Sequence, residues 1–157
     1  MLHAHVQEDL ETWFSTFGSL TRLTRFISCI FRWRANSKLP LGHARDFTES
    51  TIHLSEARAA LIKATQLKFY KEEISILKRG KVISRSSSIR RFAPMITQDE
   101  MLRVGGRLQN SDLNYEKRHP PILPKQSHLT KLLIRDAHLR TLHGGPQLVQ
   151  NLLREKY

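Results

Sequence analysis

The stretch AHLRTLHGG (137–145) holds two histidines, His138 and His143, with four residues between them. Imidazole nitrogens are zinc ligands and this spacing suits them, but a structural zinc site is closed by four ligands. The chain has 1 cysteine, Cys29, and it lies far upstream. His119 and His128 are nearer, yet nothing in their spacing selects them as the missing pair. Both pairs have structural alternatives. His138 also reads as a helix-face residue and His143 as a C-cap residue before Gly144, where helix ends favour such groups. His119 reads as a polar residue before a proline-rich strand, and His128 as the cap of a helix start.

Other reactive types give less. Cys29 lies in an apolar helical run, pairs with no histidine, and is expected in the core. Gly105 and Gly106 read as a turn or bulge, because the longer glycine pattern of a phosphate-cradling loop is missing. No nucleophile–base arrangement stands out.

The elements that must position these residues follow from periodicity. Val6, Leu10, Trp13, Phe17, Leu20, Leu23, Ile27 and Ile30 recur every three or four residues, so 5–34 predicts one amphipathic helix with its aromatic residues in the core. Gly18 is its weak point. Residues 35–46 predict a loop. A second helix is expected from about Glu49 to Lys78, with Thr51 as N-cap and a stripe through Leu54, Ala57, Leu61, Ile62, Thr65, Phe69, Ile74 and Leu77. Lys78-Arg79-Gly80 suits its C-terminus. The serine-rich, basic segment 84–94 reads as a solvated connector. Two extended pieces, 101–110 and 119–125, predict a small β element. Residues 127–157 predict two short helices joined by the His-Gly turn, the second opening at Pro146 with a stripe of Leu148, Val149, Leu152 and Leu153.

The fold expected is mainly α: a long helical hairpin, a small two-stranded β element, and a C-terminal helix pair. The parts are a hairpin connector (1–83), a linker (84–100), the β element (101–126) and the terminal helices (127–157).

With 26 Lys and Arg against 14 Asp and Glu, the net charge is +12 over 157 residues. Such a field favours polyanions. A lone cysteine excludes a disulfide framework and fits a reducing compartment. The polar start, MLHAHVQEDL, is not a signal peptide, and no apolar run is long enough to span a bilayer. The chain is therefore expected inside the cell, in nucleus or cytoplasm, and not secreted, with no membrane partner and no small-molecule substrate.

The segments MLRVGGRL (101–108), HPPILPK (119–125) and HLRTLHGGPQLVQNLLREKY (138–157) together resemble the polyproteins of BEL/Pao-type retrotransposons. There, a stretch like LLRVGGRL and then HPIILPK leads into the amino-terminal HHCC zinc-binding domain of the integrase. Upstream, 14–36 and 61–77 are similar to further family segments, so the likeness covers about 10–157. Thr97 stands where the family usually has Asp, Glu100 where it has Gly, and Leu54 where it has Glu.

The resemblance implies that His138 and His143 are the first two ligands of a zinc ion, and that the other two are a C-x2-C pair beyond Tyr157. The metal site is then incomplete in this chain, and the last two helices are expected to pack loosely. It also implies DNA and other integrase subunits as partners. Arg103, Arg107, Lys125, Lys131, Arg135 and Arg140 become candidate nucleic-acid-binding residues, supplying salt-dependent, sequence-independent affinity. The integrase core needs three carboxylates around metal ions, the last two in a D-x35-E pattern. At that spacing from Asp9, Asp46, Asp99 and Asp112 stand Arg45, Val82, Arg135 and Leu148, so no catalytic residue is assigned and the chain is not expected to be an enzyme. The function implied is that of a non-catalytic polyprotein fragment assisting DNA integration. A repurposed interaction module using the amphipathic helices, or a decayed relic, is the alternative.

Overall fold

The computed structural model of the chain describes residues 12–39, 51–106, 115–154 and 157. Among them it is mainly helical, with one small antiparallel sheet. In chain order the elements are α1 (Leu20–Ser37), α2 (Thr51–Phe69), α3 (Lys71–Lys78), a 3-10 turn (Arg90–Phe92), β1 (Met95–Ile96), β2 (Leu102–Arg103), α4 (Tyr115–Arg118), α5 (His128–Arg140) and α6 (Pro146–Arg154).

The single helix expected over 5–34 is broken. Its first residues lie outside the described ones, and the described part stops after 12–15 and restarts at Leu20. Gly18 sits in the break, and the Thr16 hydroxyl donates to the Trp13 carbonyl, taking an acceptor the helix would use. The break lets Trp13 and Phe17 fold back onto Phe26, with ring centroids 5.2 and 5.7 Å away. α1 then runs on to Ser37, past the start of the expected loop, whose residues from 40 lie outside the described ones.

α1 packs on α2 through Leu20, Leu23, Leu61 and Ile62. Its opposite face is exposed: Phe26, Cys29, Ile30 and Trp33 all turn away from α2. Cys29 is therefore a surface residue, contrary to the sequence expectation, and the aromatic residues are only partly core: Phe14 is buried, Trp33 is 73% exposed.

The second long helix divides at Tyr70, whose φ of −125° and ψ of 29° leave the helical region. Two cores explain the division. Leu61 and Ile62 of α2 belong to the first, with Leu20, Leu23, Met101, Leu129, Leu132 and Leu133. Ile74 of α3 belongs to a second, with Ile83, Ile89, Leu102 and Ile122. Thr51 is the first helical residue, one place inside the cap position expected for it. At the far end, Gly80 (φ 68°) donates to the Leu77 carbonyl and Lys81 to that of Ile76, a left-handed termination.

The serine-rich segment is not a solvated connector throughout. Ile89 is buried, Ser87 donates to Glu73, and Arg90 donates to the Ile83 carbonyl. The sheet also differs from expectation. β2 pairs with β1 from upstream, Met95 opposite Arg103 and Ile96 opposite Leu102, while the 119–125 stretch gives only an isolated bridge at Pro121. Proline lacks the amide needed to extend that ladder. Gly105 permits the close approach: a Cβ there would lie 2.3 Å from the Ala93 carbonyl oxygen.

Side-chain alternation makes this β element the wall between the cores. Met101 enters the first and Leu102 the second, while Ile122 enters the second and Leu123 packs on the first. Beyond it, α5 is capped by Ser127, whose Oγ accepts from the Thr130 amide at 3.1 Å. His128 is thus the first helical residue, not the cap. α5 is firmly seated by Leu129, Leu132 and Leu133, against the expectation of loose packing. α6 is lighter: Val149 is its one buried residue among those described, Leu152 and Leu153 are half-buried, and Leu148 is 53% exposed.

Candidate metal centre and basic surface

The last turn of α5 determines where the two histidines meet. Leu142 (φ 51°) and His143 (φ 63°) both take the left-handed conformation, and Leu142 donates to the Leu139 carbonyl while His143 donates to that of His138. Leu142 thus occupies the position helices usually give to glycine. The reversal folds the His143 ring back over His138, with centroids 4.8 Å apart at 74°. At Gly144 a Cβ would lie 2.7 Å from Leu148 Cδ2, a side-chain tip free to shift, and 3.1 Å from the Thr141 carbonyl oxygen, a tight contact.

Nδ1 of His143 lies 3.0 Å from Nε2 of His138. As neutral rings they share one hydrogen bond, one nitrogen donating to the other. The same convergence suits a metal ion: two ligands of tetrahedral zinc, at about 2.0–2.1 Å from it, stand roughly 3.3 Å apart. The nitrogen separation is close to the length of that tetrahedral edge. Among the described residues no group of three or more His, Cys, Asp or Glu is placed to hold a metal.

His119 and His128 are not brought to this pair as further ligands. His119 is buried, its Nδ1 2.9 Å from the Val104 carbonyl oxygen. His128 places Nε2 2.9 Å from the Phe17 carbonyl oxygen, tying α5 to the turn before α1.

The candidate nucleic-acid residues separate into three kinds. Lys131 and Arg135 are exposed on α5 and, at i and i+4, share a face that continues to His138. Lys125 is exposed just before the helix. Arg140 is half-exposed and paired with Asp136 at 2.8 Å. Arg103, by contrast, is turned inward: its side chain is 12% exposed, and it donates to the His119 carbonyl at 3.0 Å and to Asp99 at 3.4 Å. Arg107 lies outside the described residues. The surface that unites cations with the histidine pair is thus the Lys131–Arg135–His138 face.

Two internal polar residues escaped sequence reasoning. Gln66, 1% exposed, hydrogen-bonds the backbone of Leu102 and Ile122. Arg58 stands beside a cavity of about 450 Å³ between α2 and β2. Both interrupt the apolar stripe of α2, and a polar group at such a position is the one signal the sequence offered. No helix among the described residues is long and apolar enough to cross a membrane. The chain matches no family model, no curated protein and no solved structure.

Proposed function

We propose that this chain is a non-catalytic part of a retrotransposon polyprotein, of the BEL/Pao type it resembles, spanning the approach to the integrase and the first half of its zinc-binding domain. His138 and His143 supply two ligands, and a downstream cysteine pair supplies the others. Bound zinc would act structurally, because binding energy in small sites of this kind is folding energy. The region assists DNA integration by holding DNA and other integrase subunits, inside the cell.

The observation that carries this reading is the convergence of the two imidazole nitrogens at 3.0 Å on the face that bears Lys131 and Arg135. The test is DNA affinity as a function of salt, with and without zinc, on the chain extended through the expected cysteine pair. Zinc should tighten binding, and His143→Ala should abolish that gain. Replacing Lys131 and Arg135 together by Ala should reduce the salt slope by roughly two, about one per lost phosphate contact. A slope unchanged by that double substitution, or affinity indifferent to zinc, would defeat the proposal.

A second reading has an observation of its own. The outer face of α1 leaves Phe26, Ile30 and Trp33 exposed, which suits a helix-binding module. Concentration-dependent assembly without DNA binding would favour it.

A further inference from the structure

The cavity between α2 and β2 has the makings of a ligand site. At about 450 Å³ it is within the usual range for small-molecule pockets. Thr51, Ser55, Arg58 and Ile62 line it from a single face of α2, at spacings of four, three and four. Arg103 and Tyr157 line it from other parts of the chain.

Arg58 is the unexplained group. Its Nε is buried with no hydrogen-bond partner. Among the described residues no carboxylate pairs with it. Arg103 repeats the pattern. Two of its nitrogens serve His119 and Asp99, while its Nε is likewise buried without a partner. Both guanidinium groups border the cavity, Arg103 with its terminal nitrogens already engaged and Arg58 with no ion pair among the described residues. Glu116 is the acidic residue of the lining and is itself exposed.

We propose that this cavity is a phosphate site built on Arg58, taking a phosphoryl group that carries an apolar or aromatic body, as in a nucleoside monophosphate. The Arg58 guanidinium matches a phosphoryl group in charge and in donor geometry. The apolar walls, Ile62, Met101 and the Tyr157 ring, would be wasted on a bare anion and suit a sugar–base moiety. The ligand has two natural sources, a free mononucleotide or the terminal phosphate of a nucleic-acid strand. The site is separate from the histidine pair and does not depend on zinc.

The test uses the full chain with labelled methionine methyl groups. Met101 lines the cavity, while Met95 does not. Adenosine 5′-monophosphate should shift the Met101 methyl and leave Met95 nearly unmoved, and should bind more tightly than inorganic phosphate. Arg58→Met, which keeps the side-chain volume, should weaken that binding at least tenfold. Arg58→Lys, which keeps charge but loses the fork, should restore it only in part. Replacing Lys125 and Lys131 by Ala should leave it unchanged, which keeps this site distinct from the basic face of α5. An oligonucleotide whose affinity depends on its 5′-phosphate identifies a strand end as the source, and mononucleotide binding without that dependence identifies the free ligand. The proposal is overturned if Met101 does not respond to millimolar nucleotide, or if Arg58→Met binds it as the wild type does.

Discussion

Gln66 and Leu102, 36 residues apart, hold each other as two strands would: the Gln66 amide donates to the Leu102 carbonyl at 2.7 Å and its oxygen accepts from the Leu102 amide at 2.9 Å. A second donation, at 2.8 Å, reaches the Ile122 carbonyl. One buried side chain thus fastens α2 to both extended segments at the wall between the cores.

Gln66→Leu should therefore be far more damaging than its similar volume suggests. It would leave the buried Leu102 amide and Ile122 carbonyl without partners, while the Leu102 carbonyl keeps the Ile122 amide at 3.0 Å, and each orphan costs about 1–3 kcal/mol. A loss of about 2 kcal/mol or more in denaturant unfolding is expected. Gln66→Glu keeps the acceptor for Leu102 but forfeits both donations, and should also destabilise. A change below roughly 1 kcal/mol for Gln66→Leu would show that water replaces these bonds.

Acid should weaken the hairpin between β1 and β2 through Asp99. Partial burial pushes its carboxyl up, but the Thr97 hydroxyl and the Arg103 guanidinium outweigh that and hold it below the ordinary range. A carboxyl depressed in the folded state contributes stability above its unfolded value, about 3.9, and that contribution is lost as pH falls through the folded value. The effect is small, since Asp99 is 45% exposed and solvent screens the pair. Melting temperature followed from pH 6 down to about pH 2 should fall more steeply for the wild type than for Asp99→Asn. Parallel curves would remove Asp99 from the account.

The helices were legible because their stripes are long: Ala57, Leu61, Ile62 and Thr65 are all buried as periodicity requires. The break at Tyr70 was not, since neither proline nor glycine marks it and its cause is the second core downstream. The sheet partner was misjudged for a similar reason. Met95 and Ile96 are too short a run to show alternation, and Pro121 sits in a segment that looked equally extended. At the candidate metal site, the spacing of His138 and His143 was readable, whereas the left-handed Leu142 that turns one ring onto the other was not. Leucine rarely takes that conformation, so no local rule proposes it.

Glu100 sets backbone strain against an ion pair. It holds φ 59°, a conformation glycine adopts without strain, in the tight connection where Thr97 bonds both Glu100 and Met101. Glu100→Gly gives up an ion pair with Lys78 at 2.6 Å, but both partners are largely exposed, 47% and 70%, and such pairs contribute little. Relief of the backbone should prevail and raise the melting temperature by roughly 2–4 °C. A fall in melting temperature would mean that the Lys78 contact matters more than the strain.

Leu142 and His143 allow strain and ligation to be separated. Left-handed geometry costs a non-glycine residue about 1–2 kcal/mol, while glycine returns about 0.5–1 kcal/mol of that through unfolded-state entropy. Leu142 is 89% exposed, so its side chain adds little packing. Leu142→Gly should then stabilise the chain by about 0.5–1 kcal/mol and leave metal affinity intact. His143→Gly should relieve the same backbone strain but remove the nitrogen that stands 3.0 Å from His138. Its metal affinity, read by cobalt absorption on the extended chain, should collapse while its stability without metal does not. If both glycine variants lose metal binding equally, a turn stiffened by its side chains, and not the second imidazole alone, is what the site requires.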